Sequence, residues 1–197
     1  MAKDRHYNKM AKNKKNGFTL TEMLVGMAVF SLILVAVSGI FVSAIRVQKR
    51  TLDTEEISRE TSYLLEYISR ALRMAKKDDV GEIHCLGGKA KTNYEITSTG
   101  IKFRNYKDQC QEFYLDATTH QLMEKISSSE GELISTSTLT SPNLRVNYFN
   151  IEIFGANQGD GQQPRVTITM EMTKRNVSQP RVKVQTTISQ RQLDWSF

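Results

Sequence analysis

Glu22 is the residue of this sequence whose position most clearly requires a chemical explanation. It is the one charged side chain in the apolar run from Gly17 to Ile45, GFTLTEMLVGMAVFSLILVAVSGIFVSAI. A carboxylate in an apolar helix costs on the order of 2.5 to 3.5 kcal/mol at the middle of a bilayer, and less near its surface. Glu22 therefore needs a partner or a function, unless it lies at the membrane boundary and is solvated by headgroups.

Cys85 and Cys110 are the only two cysteines, and both are predicted to lie on strands. If these strands lie outside the cytoplasm, a disulfide would close a loop of about 25 residues and contribute roughly 3 kcal/mol. Two buried free thiols are the alternative, because the sequence does not fix the strand register. A metal site with His84 is a third option, but the other histidines, His6 and His120, offer no ligand spacing.

The sequence shows no residue pattern that indicates an enzyme. No Ser/His/Asp arrangement, paired-carboxylate motif or Gly-rich phosphate loop stands above chance. We therefore expect no catalytic residue, no metal ligand and no cofactor.

The apolar run determines which element carries Glu22. From Met23 to Ile45 no Asp, Glu, Lys, Arg or His occurs over 23 residues, and a helix of that length would span roughly 35 Å. The hydrocarbon core of a bilayer is about 30 Å thick. We predict a membrane-spanning helix over residues 18–45.

A basic leader precedes this helix. Residues 1–17 carry six Lys or Arg side chains against one Asp, a net charge of +5 out of the +6 of the whole chain. Positive residues favour the cytoplasmic side, and the three that follow the helix, Arg46, Lys49 and Arg50, are outnumbered. We therefore predict a single pass through the inner (cytoplasmic) membrane, with the leader inside and the remainder extracytoplasmic.

The order of these segments differs from that of a secretory signal peptide, whose cleavage site follows the apolar region. Here Gly17 stands between the charges and the apolar run. Cleavage between Gly17 and Phe18 would therefore remove the leader alone and keep the helix. The segment from Lys14 to Glu22, KKNGFTLTE, resembles the processing motif of type IV prepilins and of type II secretion pseudopilins.

The resemblance covers residues 12–45 and implies that prepilin peptidase cuts after Gly17 and methylates the new N-terminus at Phe18. It also implies that Glu22 pairs in a filament with the α-amine of Phe18 from a neighbouring subunit. Such a pair would favour one axial register, because a buried charge without its partner is costly. Many major pilins carry a proline where this chain has Gly39, which weighs against a role as the major subunit.

The helix is predicted to continue beyond the membrane. No Pro or Gly occurs between Gly39 and Gly81, and apolar residues recur at helical spacing. These residues are Ile57, Leu64, Leu65, Ile68, Leu72 and Ala75. We predict one helix over about residues 20–77, apolar all round at first and amphipathic over residues 46–80. A coiled coil is the alternative, but about three heptads of irregular pattern are marginal for one.

Residues 81–197 are predicted to form an antiparallel β domain, because short β-rich runs alternate with turn signals. The runs are EIHCL, NYEIT, IKFRNY, CQEFYLD, QLMEKI, LRVNYFNIEIF, PRVTITMEM and RVKVQTTISQRQL. The Ser/Thr-rich residues 127–142 are predicted as a surface loop with room for one short element. Val166, Ile168, Met170 and Met172 alternate with polar residues, which predicts a sheet with one buried face. The predicted fold class is α+β, a long N-terminal helix packed on an antiparallel sheet, as in pilins.

We expect a minor pilin or pseudopilin, a structural subunit of a type IV pilus or a type II secretion pseudopilus that primes assembly or lies at its tip. The expected partners are other pilin subunits, prepilin peptidase and the inner-membrane assembly platform. One alternative is an envelope enzyme or binding protein on a pilin-like anchor, which would have a convergent polar cleft in its β domain.

A DNA-uptake pilin is a further alternative, because basic residues exceed acidic ones by seven to four from residue 145 onward. The seven are Arg145, Arg165, Lys174, Arg175, Arg181, Lys183 and Arg191. A solvated strand face is the simpler interpretation, since nonspecific binding of DNA needs the charges to form one patch.

Overall fold

The computed structural model describes four stretches of the chain, residues 17–78, 85–86, 92–157 and 161–191. The chain divides into two compact units, Met1–Gln48 and Lys49–Phe197. In the first unit the described residues are helical from Leu20 onward, and every described side chain is exposed. By length and composition the helix that begins there could cross a membrane.

Helix α1 spans Leu20–Arg73, so the predicted single helix is confirmed, although it ends before the predicted residue 77. The helix ends because the chain joins the sheet, where the backbone N–H of Lys76 donates to the carbonyl oxygen of Arg104 at 2.9 Å. Arg70 and Arg73 in the last turn interact favourably with the negative end of the helix dipole.

Within the described residues, eight strands form two antiparallel sheets. They are β1 (Tyr94–Ile96), β2 (Gly100–Arg104), β3 (Cys110–Asp116), β4 (Gln121–Ser127), β5 (Leu133–Thr138), β6 (Leu144–Phe154), β7 (Arg165–Lys174) and β8 (Arg181–Ser189). The first five pair in chain order, and β6, β7 and β8 form the second sheet in the same way. Residues with positive φ close three of the hairpins, namely Asp108, His120 and Asn176. The predicted antiparallel β domain is thereby confirmed.

Three strand predictions change in detail. Cys85 and Leu86 lie in a bend and not in a strand, while the other residues of the run EIHCL fall outside the described residues. The one short element that we allowed within residues 127–142 is β5, whose six residues are all exposed. Strand β8 ends at Ser189, before the predicted end of its run.

The hydrophobic core of the second unit lies between α1 and the sheets. Ile57, Leu64, Ile68 and Leu72 share one face of the helix and are fully buried. The predicted inward-facing residues of β7 belong to the same cluster, namely Val166, Ile168, Met170 and Met172. Thr61 is the buried polar residue of the helical stripe, and its hydroxyl donates to the carbonyl oxygen of Ile57 at 2.7 Å. The helix therefore covers the sheet, as predicted for the α+β fold.

Candidate functional site

The junction between Gly17 and Phe18 lies just ahead of helix α1. Residues 17–19 are not helical, and Phe18 is 78% exposed. A Cβ atom added at Gly17 would meet no other part of the described structure within 4 Å. A peptidase could therefore reach this peptide bond without unwinding the helix.

Glu22 lies in the first turn of α1 and is exposed. Thr19 precedes the helix, and its hydroxyl oxygen accepts the backbone N–H of Glu22 at 3.3 Å. Thr-x-x-Glu is the spacing of a capping box, and a carboxylate in the first turn stabilises the positive end of a helix by about 0.3 to 1 kcal/mol. We did not predict this cap by Thr19 or the place of Glu22 beside the helix dipole, although the signal is visible in the sequence FTLTE.

Glu22 has no cationic partner among the described residues. Every salt bridge in that part of the chain joins residues from Asp53 onward, and none includes Glu22. An ion pair of Glu22 therefore requires a positive group from outside the described residues.

The first unit presents an apolar helical surface. Large apolar side chains over residues 20–47 are about half exposed or more. Ser31 and Ser38 donate their hydroxyls to carbonyl oxygens four residues earlier, at 2.8 and 2.7 Å. This bonding suits a waterless environment, because it satisfies both hydroxyls within the helix. The helix continues through Gly39 without a break, so glycine does not act there as a helix breaker.

Cys85 and Cys110 form a disulfide, with their Cα atoms 5.2 Å apart and a separation of 25 positions in sequence. Both are buried in a small cluster with Leu86. The bond ties the segment that follows α1 to the first residue of β3. The alternative of two free thiols is therefore wrong. His84, the candidate metal ligand, lies outside the described residues.

The basic residues of the C-terminal third do not share one location. Arg145, Lys174, Arg175 and Arg181 line one groove at the end of the three-stranded sheet. Arg165 lies over the ring of Phe154, outside this groove. Lys183 approaches the ring of Tyr148, and Arg191 bonds through its backbone N–H to Arg73. The sequence showed the excess of charge but not this grouping, which depends on strand register and turn geometry.

Residues 12–38 match the prokaryotic N-terminal methylation motif. No curated protein and no solved structure is a significant match to this chain. The matched motif supports a type IV pilin-like precursor. A long N-terminal helix packed on an antiparallel sheet is a pilin-like architecture.

Proteins with this motif are typically structural rather than enzymatic. The motif implies processing by prepilin peptidase and assembly with other pilin subunits. Together with the apolar helix, it indicates a membrane-anchored protein.

Proposed function

We propose that this protein is a minor pilin or pseudopilin that is cut between Gly17 and Phe18, methylated at Phe18 and assembled into a short filament. The observation that carries the proposal is the exposed, non-helical Gly17–Phe18 junction, which lies inside the methylation motif and directly ahead of an apolar helix. Cleavage there would remove the basic leader and leave α1 whole.

Residues 18–45 would hold the mature protein in the inner membrane, with the β domain outside the cytoplasm. On assembly the same helix would exchange lipid for the helices of neighbouring subunits. Its exposed apolar side chains suit both environments, because lipid tails and packed apolar side chains are similar solvents for them. The inner-membrane assembly platform would carry out the extraction.

The preference for a minor subunit has two supports. The described part of the β domain carries eight strands, which resembles the larger minor subunits more than compact major ones. Helix α1 also runs through Gly39 without the proline found in many major pilins. A subunit of this kind would prime assembly or lie at the filament tip.

Processing can be tested with Gly17→Leu. The side chain at this position would block cleavage, so the variant should keep the leader and run as a precursor about 17 residues longer. Intact-mass spectrometry of membrane-extracted protein measures this difference and also detects methylation of Phe18 in the wild type. Gly39→Leu is the matched control, because it makes the same change within the helix and should be processed normally. An unchanged mature mass in Gly17→Leu would refute cleavage at this junction.

The role of the Glu22 charge can be separated from the capping of the helix by two substitutions. Glu22→Gln removes the charge, but glutamine is also found at this position of capping boxes. Thr19→Ala removes the capping hydroxyl and keeps the charge. If Glu22 pairs with the α-amine of a neighbour, Glu22→Gln should be lost from sheared filaments while remaining in the membrane, and Thr19→Ala should still assemble. The reverse result would assign Glu22 to helix capping alone.

A further inference from the structure

A groove lies at the end of the three-stranded sheet where β6 begins, β7 ends and β8 begins. Its volume is about 600 Å³, and it is partly open to solvent. We call it the basic groove, and the residues that matter for its chemistry are His120, Arg145, Thr173, Arg175 and Arg181. All of these residues lie outside the methylation motif and outside helix α1.

The strand register explains why the charges meet. Arg145 on β6 and Arg181 on β8 are both paired with Thr173 on the central strand β7. Paired residues of antiparallel strands point to the same face, so the two arginines flank Thr173. The buried hydroxyl of Thr173 accepts the side-chain amide of Asn147 at 3.3 Å, which fixes the floor of the groove.

Arg175 holds one wall of the basic groove in place. Its Nε donates to the carbonyl oxygen of Pro142 at 2.8 Å, and its second terminal nitrogen donates to that of Thr119 at 3.0 Å. Its backbone N–H donates to Asn143 at 2.7 Å. These three bonds fix the wall. The acceptors of the guanidinium among the described residues are neutral carbonyls, so no carboxylate there offsets its charge.

The basic side chains of the groove differ in whether a carboxylate lies beside them. Lys174 lies 2.9 Å from both Asp53 and Glu56 of helix α1, and hydrogen bonding to Asp53 and then to Glu56 raises the pKa of Lys174 above its ordinary value. Arg181 lies 3.6 Å from Glu171. These two cations therefore have carboxylate partners.

Arg145 and Arg175 lack such a partner. Within the described residues neither forms a salt bridge. The only polar side-chain contact of Arg145 there is with Nε2 of His120, at 3.0 Å. Since a guanidinium can only donate, Nε2 of the imidazole accepts in this contact. Two uncompensated guanidinium groups therefore face one groove.

We propose that the basic groove binds a phosphate group. Guanidinium groups bind oxyanions through paired, charge-assisted hydrogen bonds. The free donors come from Arg145 on β6 and from Arg175 in the β7–β8 turn, and both residues line the groove. A tetrahedral phosphate presents acceptor oxygens in several directions and suits this placement better than a planar carboxylate. Free phosphate and the phosphodiester of a polymer share this chemistry.

The described lining residues of the groove include the His120 ring but no Phe, Tyr or Trp. They therefore offer no large aromatic side chain on which bases could stack, as they do in many proteins that bind single strands. A phosphodiester polymer would be held through its backbone, with no preference among bases.

The test uses the full-length protein in a non-ionic detergent, at constant ionic strength. Binding of radiolabelled inorganic phosphate is measured by equilibrium dialysis, and binding of a fluorescent thymidine decamer is measured by anisotropy. Arg145→Gln should weaken phosphate binding by about tenfold, the effect of losing one charge-assisted hydrogen bond. Arg165→Gln is the matched control, since it removes the same charge from β7 outside the groove and should bind normally.

A gain-of-affinity variant guards against misfolding as an explanation. Glu171→Gln removes the acid beside Arg181 and should bind phosphate several times more tightly. Tighter binding of the decamer than of free phosphate, with the same loss in Arg145→Gln, would assign the site to a phosphodiester polymer, and the opposite order to the free ion. Absence of saturable binding by both probes, or equal losses in the two arginine variants, would overturn the proposal.

Discussion

Tyr67→Phe should destabilise the β domain, because it removes a hydrogen bond to a buried carboxylate. Glu124 is only 7% exposed. It accepts hydrogen bonds from Tyr67 at 2.7 Å, from Gln111 at 2.6 Å and from Ser137 at 3.3 Å. The four residues come from α1, β4, β3 and β5, so this network joins the helix to three strands of the first sheet. Phenylalanine keeps the ring and removes only the donor.

The magnitude follows from the charge and the exposure. A hydrogen bond to a charged group contributes about 1.5 to 3 kcal/mol. Tyr67 is 36% exposed, so water can replace part of the lost bond, and we expect a loss of about 1 to 2 kcal/mol. For a domain of this size the melting temperature should fall by roughly 2 to 8 °C.

The loss should also depend on pH in a defined direction. Burial, followed by the hydrogen bond to Glu124, raises the pKa of Tyr67 above its ordinary value. A group whose pKa is raised by folding stabilises the protein below its unfolded pKa, here about 10, and this contribution is lost as the pH rises towards the folded value. The difference in stability between wild type and Tyr67→Phe should therefore be constant near neutral pH and shrink above about pH 10.

The assay is urea denaturation of the full-length protein in detergent, with unfolding monitored by circular dichroism. Tyr63→Phe is the matched control, because Tyr63 lies one turn earlier on the same helix and is 68% exposed. In a Glu124→Gln background, Tyr67→Phe should cost less, since the acceptor is then neutral. The reasoning fails if the two tyrosine variants unfold at the same urea concentration.

Three further predictions concern the same domain. Replacing Cys85 and Cys110 together by Ser should lower the free energy of unfolding by about 3.5 kcal/mol, the chain-entropy value for their loop, as measured by urea denaturation. Gly100→Ala should lower it by about 2 to 3 kcal/mol, because a Cβ there would collide with the backbone of β3, as measured by the melting temperature. In Asp108→Asn, the loss of stability in acid should be shallower. The hydrogen bond from Lys76 lowers the pKa of Asp108, so its contribution is present above the unfolded pKa and is lost as the pH falls through the folded one.

Each of these predictions has a clear contrary result. Reduced wild type should unfold like the cysteine variant, and a difference between them would point to effects of the serines. Ser98→Ala changes an exposed position beside the same turn, so an equal melting temperature for it and Gly100→Ala would exclude the collision. Glu130→Gln removes an exposed carboxylate and is the control. If its stability falls in acid as shallowly as that of Asp108→Asn, the ion pair of Asp108 is not the cause.

Helix α1 and strand β7 could be predicted because their apolar residues recur with different periods, helical in α1 and alternating in β7. The helical stripe containing Ile57 and Leu72 and the alternating β7 containing Ile168 are each buried on one side, so period and burial agree. Strand β5 was harder to predict, since all six of its residues are exposed and leave no alternation of apolar and polar positions. Thr61 was missed in the stripe because its burial depends on a bond to its own helix.

The functional residues also differ in whether the sequence alone could reveal them. The Gly17–Phe18 junction and Glu22 are local in sequence, so a short motif is enough to find them. The basic groove depends on the register that places Arg145 and Arg181 beside the same residue of β7. A one-residue shift in either pairing would turn that arginine to the other face of the sheet, and no sequence pattern here determines which register occurs.

Its place in the first turn of α1 gives the charge of Glu22 a favourable interaction with the helix dipole before any subunit arrives. This bears on how a filament could use that charge. Cleavage after Gly17 would place a positive α-amine four residues ahead of Glu22, at the end of the helix where the dipole is also positive. Methylation keeps that charge, so Glu22 would offset its own α-amine in the membrane. A pair between subunits would replace this interaction with a similar one and yield little net energy. The pair between subunits would instead discriminate between registers, because a subunit in the wrong register would leave both charges unpaired in an apolar core. Glu22 would then set the position of each subunit more than it strengthens the filament.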